Sequence, residues 1–298
     1  MTRKLSVDRR GFLKGAAVTG AAALVPDEVA SAAQAPPAEA AQAARPAAGG
    51  AVREADPVVE VAGETTSRPG GDFMVDVLKS LNIEYVASNP GSSFRGIHES
   101  IINYGGNSMP EFLTCCHEES SVSMAQGYFK VEGKPMAVLA HGTVGLQHAA
   151  MAIYNAYCDR VPVYLLAGNS LDATMRRPGV EWAHSVQDAA SMLRDFLKWD
   201  DNPYSLPHFA ESAVRAYKIA MTPPMMPVLI VLDGGLQEDP IEPDVAARLR
   251  VPKLTLAAPP QGDSGAVAEA ARLLVNAQNP VIVVDRLSRT PAGMQRLI

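Results

Sequence analysis

A chain of 298 residues, 47% hydrophobic and 19% charged with a net charge of −6, can bury one large or two ordinary cores without covalent staples. Three cysteines, two of them the neighbours Cys115 and Cys116, exclude a disulfide scaffold, and a mildly acidic chain with no clustered basic face excludes nucleic acid as a partner. No apolar run reaches the ~18 residues that a membrane-spanning helix needs, so no span is read here.

The N-terminus reads as an address. Asp8-Arg9-Arg10-Gly11-Phe12-Leu13-Lys14 places an arginine pair ahead of the weakly apolar run from Gly15 to Val25, and Ala30-Ser31-Ala32 offers a small-residue cleavage site. Charged start, short apolar middle and small-residue exit make a twin-arginine signal peptide over residues 1–35, which sends the folded chain across the membrane, to the periplasm. The Ala/Pro-rich stretch of residues 36–68 has no hydrophobic period and is expected to be a disordered tether.

From Asp72 onward helices and strands alternate. The pattern predicts a helix from Asp72 to Leu81, a strand from Glu84 to Ser88, and a helix from Ser93 to Tyr104 after the Asn89-Pro90-Gly91-Ser92 break. A strand from Glu111 to Cys116 and a helix from Glu118 to Val131 follow. Next come a strand from Met136 to Ala140, a Gly-rich bend at Gly142–Gly145, and a helix to Ala156. Pro162 to Ala167 is a strand, Ser185 to Phe196 and Pro207 to Met221 are helices, and Pro227 to Leu232 is a last strand. Continuous apolar strands separated by helices imply an α/β fold: a parallel sheet with helices on both faces. This unit spans residues 69–240. Residues 241–262 read as a linker, and residues 263–298 as the incomplete start of a second α/β domain, with a helix from Ser264 to Ala277 and a buried strand from Pro280 to Val284. One helix and one strand cannot bury a core of their own, so truncation or a completing partner is expected.

Glu118 stands out chemically. On a helix it shares one face with Val122, Ala125 and Phe129, whereas Glu119 lies about 100° round, toward water. A carboxyl on the buried face, just past a strand's C-terminal end, sits where open parallel sheets place ligands. A first-turn Glu favoured only by the helix dipole has the same spacing, and periodicity does not separate the two. The Gly142-Thr143-Val144-Gly145 segment lacks both GxGxxG and a Walker lysine, and no GxSxG elbow occurs. The histidines His117, His141, His148 and His184 show no metal spacing, so no metal ligands are assigned.

Several segments together resemble the N-terminal, pyrimidine-binding domain of thiamine-diphosphate enzymes of the acetolactate synthase, benzoylformate decarboxylase and pyruvate oxidase group. Ser88-Asn89-Pro90-Gly91-Ser92 is similar to the family's early PGS turn. His117-Glu118, Ala125-Gln126-Gly127-Tyr128 and Gly133-Lys134-Pro135 are similar to its HE…GYAR…GKP block. Gly142 to His148 stands at the GPG loop, with Val144 for the usual Pro and His148 for the usual Asn, and Asn155 to Pro162 matches ADAYxDxxP. Gly168-Asn169, Val186-Gln187-Asp188 and Pro227-Val228-Leu229-Ile230 follow in order, and residues 264 to 298 resemble the opening of the family's middle domain. The family's diphosphate-binding GDG…N motif does not occur in these 298 residues.

The resemblance implies a carbon–carbon lyase or synthase acting on 2-oxo acids, present as a fragment or as a subunit. Alternatives are a 2-hydroxyacyl-CoA lyase or oxalyl-CoA decarboxylase, or a non-catalytic cofactor-binding or regulatory module. It implies thiamine diphosphate as cofactor, with Mg²⁺ held through a domain absent from this chain. Glu118 would act catalytically on the aminopyrimidine ring. Pro90, Gly91, Gly142, Thr143, Gly145 and His148 would bind the cofactor alongside Glu118, and His184 and Gln187 would lie toward the substrate. A homodimer or tetramer, or a partner chain carrying the diphosphate-binding domain, is implied as well.

Overall fold

Six strands form one sheet, all parallel, in the order β2 (Glu111–Thr114), β1 (Tyr85–Ser88), β3 (Ala137–Ala140), β4 (Tyr164–Asn169), β6 (Val228–Asp233) and β5 (Trp199–Asp201). The structure is a computed structural model that describes residues 67–258 and 260–298; the arginine pair and most of the tether lie outside the described residues.

In chain order, α1 (Gly70–Ser80) leads to β1 (Tyr85–Ser88), and β2 (Glu111–Thr114) is followed by α3 (Glu118–Glu132). Between β1 and β2 the expected single helix is compound: a 3₁₀ turn at Ser92–Phe94, α2 (Arg95–Glu99) and a π turn at Ser100–Tyr104. β3 (Ala137–Ala140) runs into α4 (Gly142–Cys158), and then come β4 (Tyr164–Asn169) and α5 (Val180–His184). β5 (Trp199–Asp201), α6 (Leu206–Met221) and β6 (Val228–Asp233) complete the sheet, and α7 (Gly234–Glu238), α8 (Pro243–Ala246), α9 (Ser264–Asn276) and α10 (Pro291–Leu297) follow.

Both sheet faces are covered, as continuous apolar strands require. On one face α1, α2 and α6 bury Met74, Leu78, Ile97, Phe209 and Ala213 against Val86, Leu139, Leu166 and Ile230. On the other, α3 and α4 bury Val122, Ala125, Leu146 and Ile153 against Ala87, Val138, Leu165 and Val231. Each fully buried large apolar side chain contributes about 1.5–3 kcal/mol of transfer free energy. The sheet and both layers are therefore fixed by the strand pattern already legible in the sequence.

Several expectations change. The Gly142–Gly145 segment is the first turn of α4, not a bend; its leading N–H is met by Ser93 Oγ at 3.0 Å, a cap supplied 49 residues away. Ser185–Phe196 is not a helix. There Asn169 Nδ2 donates to Val186 O at 2.9 Å, and Arg194 bridges Asp188 and Asp200, leaving only a 3₁₀ turn at Arg194–Phe196. β5 was not foreseen: three half-buried residues pair with β6 at the sheet edge. Pro280–Val284 is neither a strand nor buried, with Val281 and Val283 81% and 92% exposed, because no described strand lies beside it to pair its backbone. Within the linker read at 241–262, residues 243–246 form α8.

Candidate functional site

The strand order reverses between β1 and β3: the chain passes outward from β1 to β2, then returns to place β3 on β1's other side. Open parallel sheets bind ligands in the crevice at the C-terminal ends of the strands at such a point. Here that crevice is built by the turn after β1 and the start of α4. Ser93 Oγ accepts from Gly142 N–H and lies 3.2 Å from His141 Nδ1. Gly91 lies against the His141 ring, where a Cβ would come within 2.8 Å of it.

α3 begins at the same end. Cys115 N–H donates to Ser88 O at 2.7 Å, extending the β1–β2 pairing, and His117 then caps α3 with Nδ1 accepting from Glu119 N–H at 3.1 Å. This entry points Glu118 inward at 5% exposure, together with Val122, Ala125 and Phe129, while Glu119 is exposed. Among the described residues, the Glu118 carboxylate accepts no hydrogen bond. Its nearest basic atom is His148 Nδ1, 3.9 Å from Oε2. A buried carboxyl with no hydrogen-bond donor beside it among the described residues is placed to meet a polar ligand. Gly145 supplies the room: a Cβ there would lie 2.9 Å from Glu118 Oε1 and 3.1 Å from His141 Cβ.

A second cluster adjoins the first. Thr143 Oγ1 donates to His184 O at 2.7 Å, and the His141 and His184 rings meet edge to face with centroids 5.0 Å apart. Burial holds His141 below the usual histidine range, His184 pushes it the same way, and Glu118 opposes them. His184 Nδ1 is buried with no hydrogen-bond partner among the described residues. With Ser92, Ser93 and Asn169 these rings line a narrow cleft of about 20 Å³, room for roughly one water.

Of the residues expected from sequence, Glu118, Gly145 and His148 form one cluster, and Gly91, Gly142, Thr143 and His184 surround the adjoining one. Pro90 is exposed at the rim. Gln187 lines a wider, open groove of about 470 Å³ with Thr143, Gln147 and Met192. Sequence reasoning passed over Ser93, His117 and His141. Ser93 and His141 lie 48 residues apart, and no local pattern joins them. His117 was detectable in principle, since it immediately precedes an inward-facing first turn, the position of a cap. Spacing also missed that His117, Glu118 and His148 bring ligating atoms within 4.8 Å of one another.

Comparison with known proteins points to one family. Residues 68–192 match the family described as "Thiamine pyrophosphate enzyme, N-terminal TPP binding domain", and residues 6–26 match the twin-arginine translocation signal sequence. Residues 68–192 are thus similar to the N-terminal domain of thiamine-diphosphate-dependent enzymes, with acetolactate synthase and benzoylformate decarboxylase among the relatives, and they follow a segment similar to a twin-arginine export signal. Among relatives, acetolactate synthase of Bacillus subtilis is 22% identical over 226 residues, covering 76% of this chain and 37% of that protein. Benzoylformate decarboxylase of Pseudomonas aeruginosa is 26% identical over 214 residues, covering 70% and 38%. The crystal structure of benzoylformate decarboxylase from Polynucleobacter necessarius superposes with a TM-score of 0.60 at 24% identity, over 72% of this chain and 38% of that one, and attests the fold. The chain spans less than two-fifths of the length of each of these relatives.

Proposed function

We propose that this chain supplies the pyrimidine half of a thiamine-diphosphate site in a carbon–carbon lyase or synthase acting on 2-oxo acids, working outside the cytoplasm, in the periplasm. The observation that carries the proposal is Glu118: a buried carboxyl that accepts no hydrogen bond among the described residues, facing a helix turn whose glycine leaves space beside it. A polar heterocycle that exchanges a proton with a carboxyl fits that pairing, and the aminopyrimidine ring is such a heterocycle. When bound, thiamine diphosphate supplies a nucleophilic carbon and an electron sink.

The chain's own residues would do the rest. Glu118 holds and returns one proton at the pyrimidine ring nitrogen. Gly142 and Gly145 let the α4 backbone approach the ring, and Thr143 ties the α4 turn to His184. Gly91 and Pro90 close the β1 side, and His184 and Gln187 lie toward the 2-oxo acid. The diphosphate and its Mg²⁺ would be held by residues outside these 298, through a second copy of the assembly or a partner chain. The cofactor would then sit at an interface, in a homodimer or tetramer or with a partner chain carrying the diphosphate-binding domain. On this proposal residues 69–240 are the pyrimidine domain, 241–262 a linker and 263–298 the opening of a middle domain.

The test uses the assembly isolated from the cell and loaded with thiamine diphosphate and Mg²⁺. Exchange of the cofactor's thiazolium proton into heavy water should slow by about 10²–10⁴-fold in Glu118→Gln, the usual range of a general acid–base contribution, and barely change in Glu119→Gln. Wild-type exchange in both variants, or a slow Glu119 variant alone, would overturn it. Turnover of a panel of 2-oxo acids then identifies the substrate; cofactor binding without turnover of any would favour a regulatory module.

A further inference from the structure

Beside Glu118 stand two imidazoles whose tautomers the structure fixes. His117 Nδ1 accepts the Glu119 N–H at 3.1 Å, so its lone pair is used there and the neutral ring carries its proton on Nε2. That Nε2 lies 2.9 Å from His148 Nδ1, with the rings stacked at 4.7 Å. His117 must be the donor of this bond, which leaves His148 Nδ1 bare and puts the His148 proton on Nε2. The bare nitrogen is also the basic atom nearest the Glu118 carboxylate, at 3.9 Å from Oε2. The His148 side chain is 57% exposed, whereas that of Glu118 is 6% exposed. One ring thus reaches from the buried carboxyl to water.

The same tautomers argue against a divalent cation at the three residues. A metal on His117 Nε2 would need the lone pair that this nitrogen does not have while Nδ1 caps α3. Metal-bound histidines instead donate their other ring nitrogen to an acceptor.

We propose that His148 is the proton-exchange partner of Glu118, linking the buried carboxyl to solvent, and that His117 is a positioning residue that keeps His148 Nδ1 ready to accept. The step balances as follows. The Glu118 O–H bond breaks as a bond forms from the proton to His148 Nδ1, and the His148 Nε2–H proton passes to water, leaving a carboxylate and a neutral Nδ1–H imidazole. In reverse, Nδ1 returns its proton to the carboxylate while Nε2 takes one from water. A small approach of the ring, or one bridging water, spans the 3.9 Å. In the Nδ1–H state the His117 Nε2–H loses its acceptor, so the pair favours the proton's return to Glu118. This rests on the proposed role of Glu118 only for its purpose: reprotonating that carboxyl between proton transfers to the pyrimidine ring. The other ionisable groups facing the cluster are His141 and, beyond it, His184.

The experiment is nuclear magnetic resonance on the full chain without cofactor, with ¹⁵N-labelled histidine rings and ¹³C-labelled glutamate carboxyls. At neutral pH His117 and His148 should each show a protonated Nε2 and a bare Nδ1. His117→Asn keeps an N-cap side chain and removes the ring donor, so His148 should become a mixture of both tautomers. The His148 Nδ1 resonance should respond to its carboxyl neighbour, moving in Glu118→Gln but keeping its wild-type position in Glu119→Gln. A proton on His148 Nδ1 at neutral pH, or a His148 Nδ1 resonance unmoved in Glu118→Gln, would overturn the proposal. So would one equivalent of added Zn²⁺ binding with shifts at both rings, which would mark a metal site instead. None of these readouts involves the cofactor. Slow thiazolium exchange in Glu118→Gln with an unmoved His148 Nδ1 resonance would remove the relay and leave the Glu118 proposal standing; a moved resonance with unaffected exchange would do the opposite.

Discussion

Single residues at the crevice are constrained by space and by burial. Gly145 is the sharpest case. Alanine there should raise helix propensity in α4 by up to about 1 kcal/mol, yet its methyl would stand 2.9 Å from Glu118 Oε1. Gly145→Ala is therefore expected to fold with an unchanged or higher melting temperature while losing at least about tenfold in thiamine diphosphate affinity, or ~1.4 kcal/mol. Calorimetric titration of the isolated assembly measures it. Two other residues tie stability to pH. His98 stacks on Phe112 at 4.1 Å, and burial holds both His98 and His141 below the ordinary histidine value of 6.5. As pH falls through 6.5, the unfolded chain takes up protons that the fold resists, so stability drops on the acid side and is fully present above it. Urea midpoints at neutral and mildly acid pH should differ in the wild type, and His98→Gln should narrow the difference.

At the scale of elements, the crevice depends on close approaches between strand ends. Gly168, at the end of β4, faces the Ser93 carbonyl so closely that a Cβ would lie 2.0 Å from its oxygen. Both partners are backbone held by the sheet and by the Ser93 contacts, so neither can yield cheaply. Gly168→Ala should cost about 1–3 kcal/mol or more, the usual range for overpacking, and should also disturb the Ser93–Gly142 cap that starts α4. Loss of the cooperative urea transition, or a midpoint shifted in proportion, is the measurement. The far end of α4 is held differently. Arg286 reaches the Cys158 carbonyl, and Arg289 donates to the Arg160 and Asp159 carbonyls, each at 3.1 Å, so cations complete the helix's negative end. These contacts are exposed and individually weak. Arg289→Ala should leave the global melting temperature nearly unchanged and speed proteolytic cleavage after residue 280.

For the whole molecule, export and association follow from surface and address. Replacing Arg9 and Arg10 with Lys should keep the chain in the cytoplasm with residues 1–35 uncleaved, as immunoblots of fractionated cells would show; continued export would disprove the signal. Association is an expectation from what α3 and α4 leave uncovered. Met124, Val144, Met151 and Tyr154 are exposed by 43%, 38%, 61% and 47% on the two helices that carry Glu118 and Gly145. A contiguous exposed apolar patch marks an interaction surface. Sedimentation at tens of micromolar should show a dimer or larger; a clean monomer would count against an interface at the cofactor.

What the sequence determined by itself is the periodic part. Apolar runs at Val138, Leu165 and Ile230 read as strands covered on both faces, and the Glu118-Val122-Ala125-Phe129 stripe reads as an inward face, because burial of apolar surface acts residue by residue along a regular repeat. The inward orientation of Glu118 was legible for that reason, its proposed role came only with the family resemblance, and the arginine pair was read from its place ahead of the apolar run. Tertiary structure decided everything that depends on partners far along the chain. Ser93 caps α4 across 49 residues, turning an apparent glycine bend into a helix start. His148 meets His117 across 31, giving two unremarkable histidines fixed tautomers. Val281 to Val284 carry a strand's composition without a strand's structure, since a ladder needs a neighbour and a hydrogen-bonding edge is not a property of one segment. Local periodicity encodes which face is buried; only the folded chain encodes which distant polar atoms that burial brings within reach.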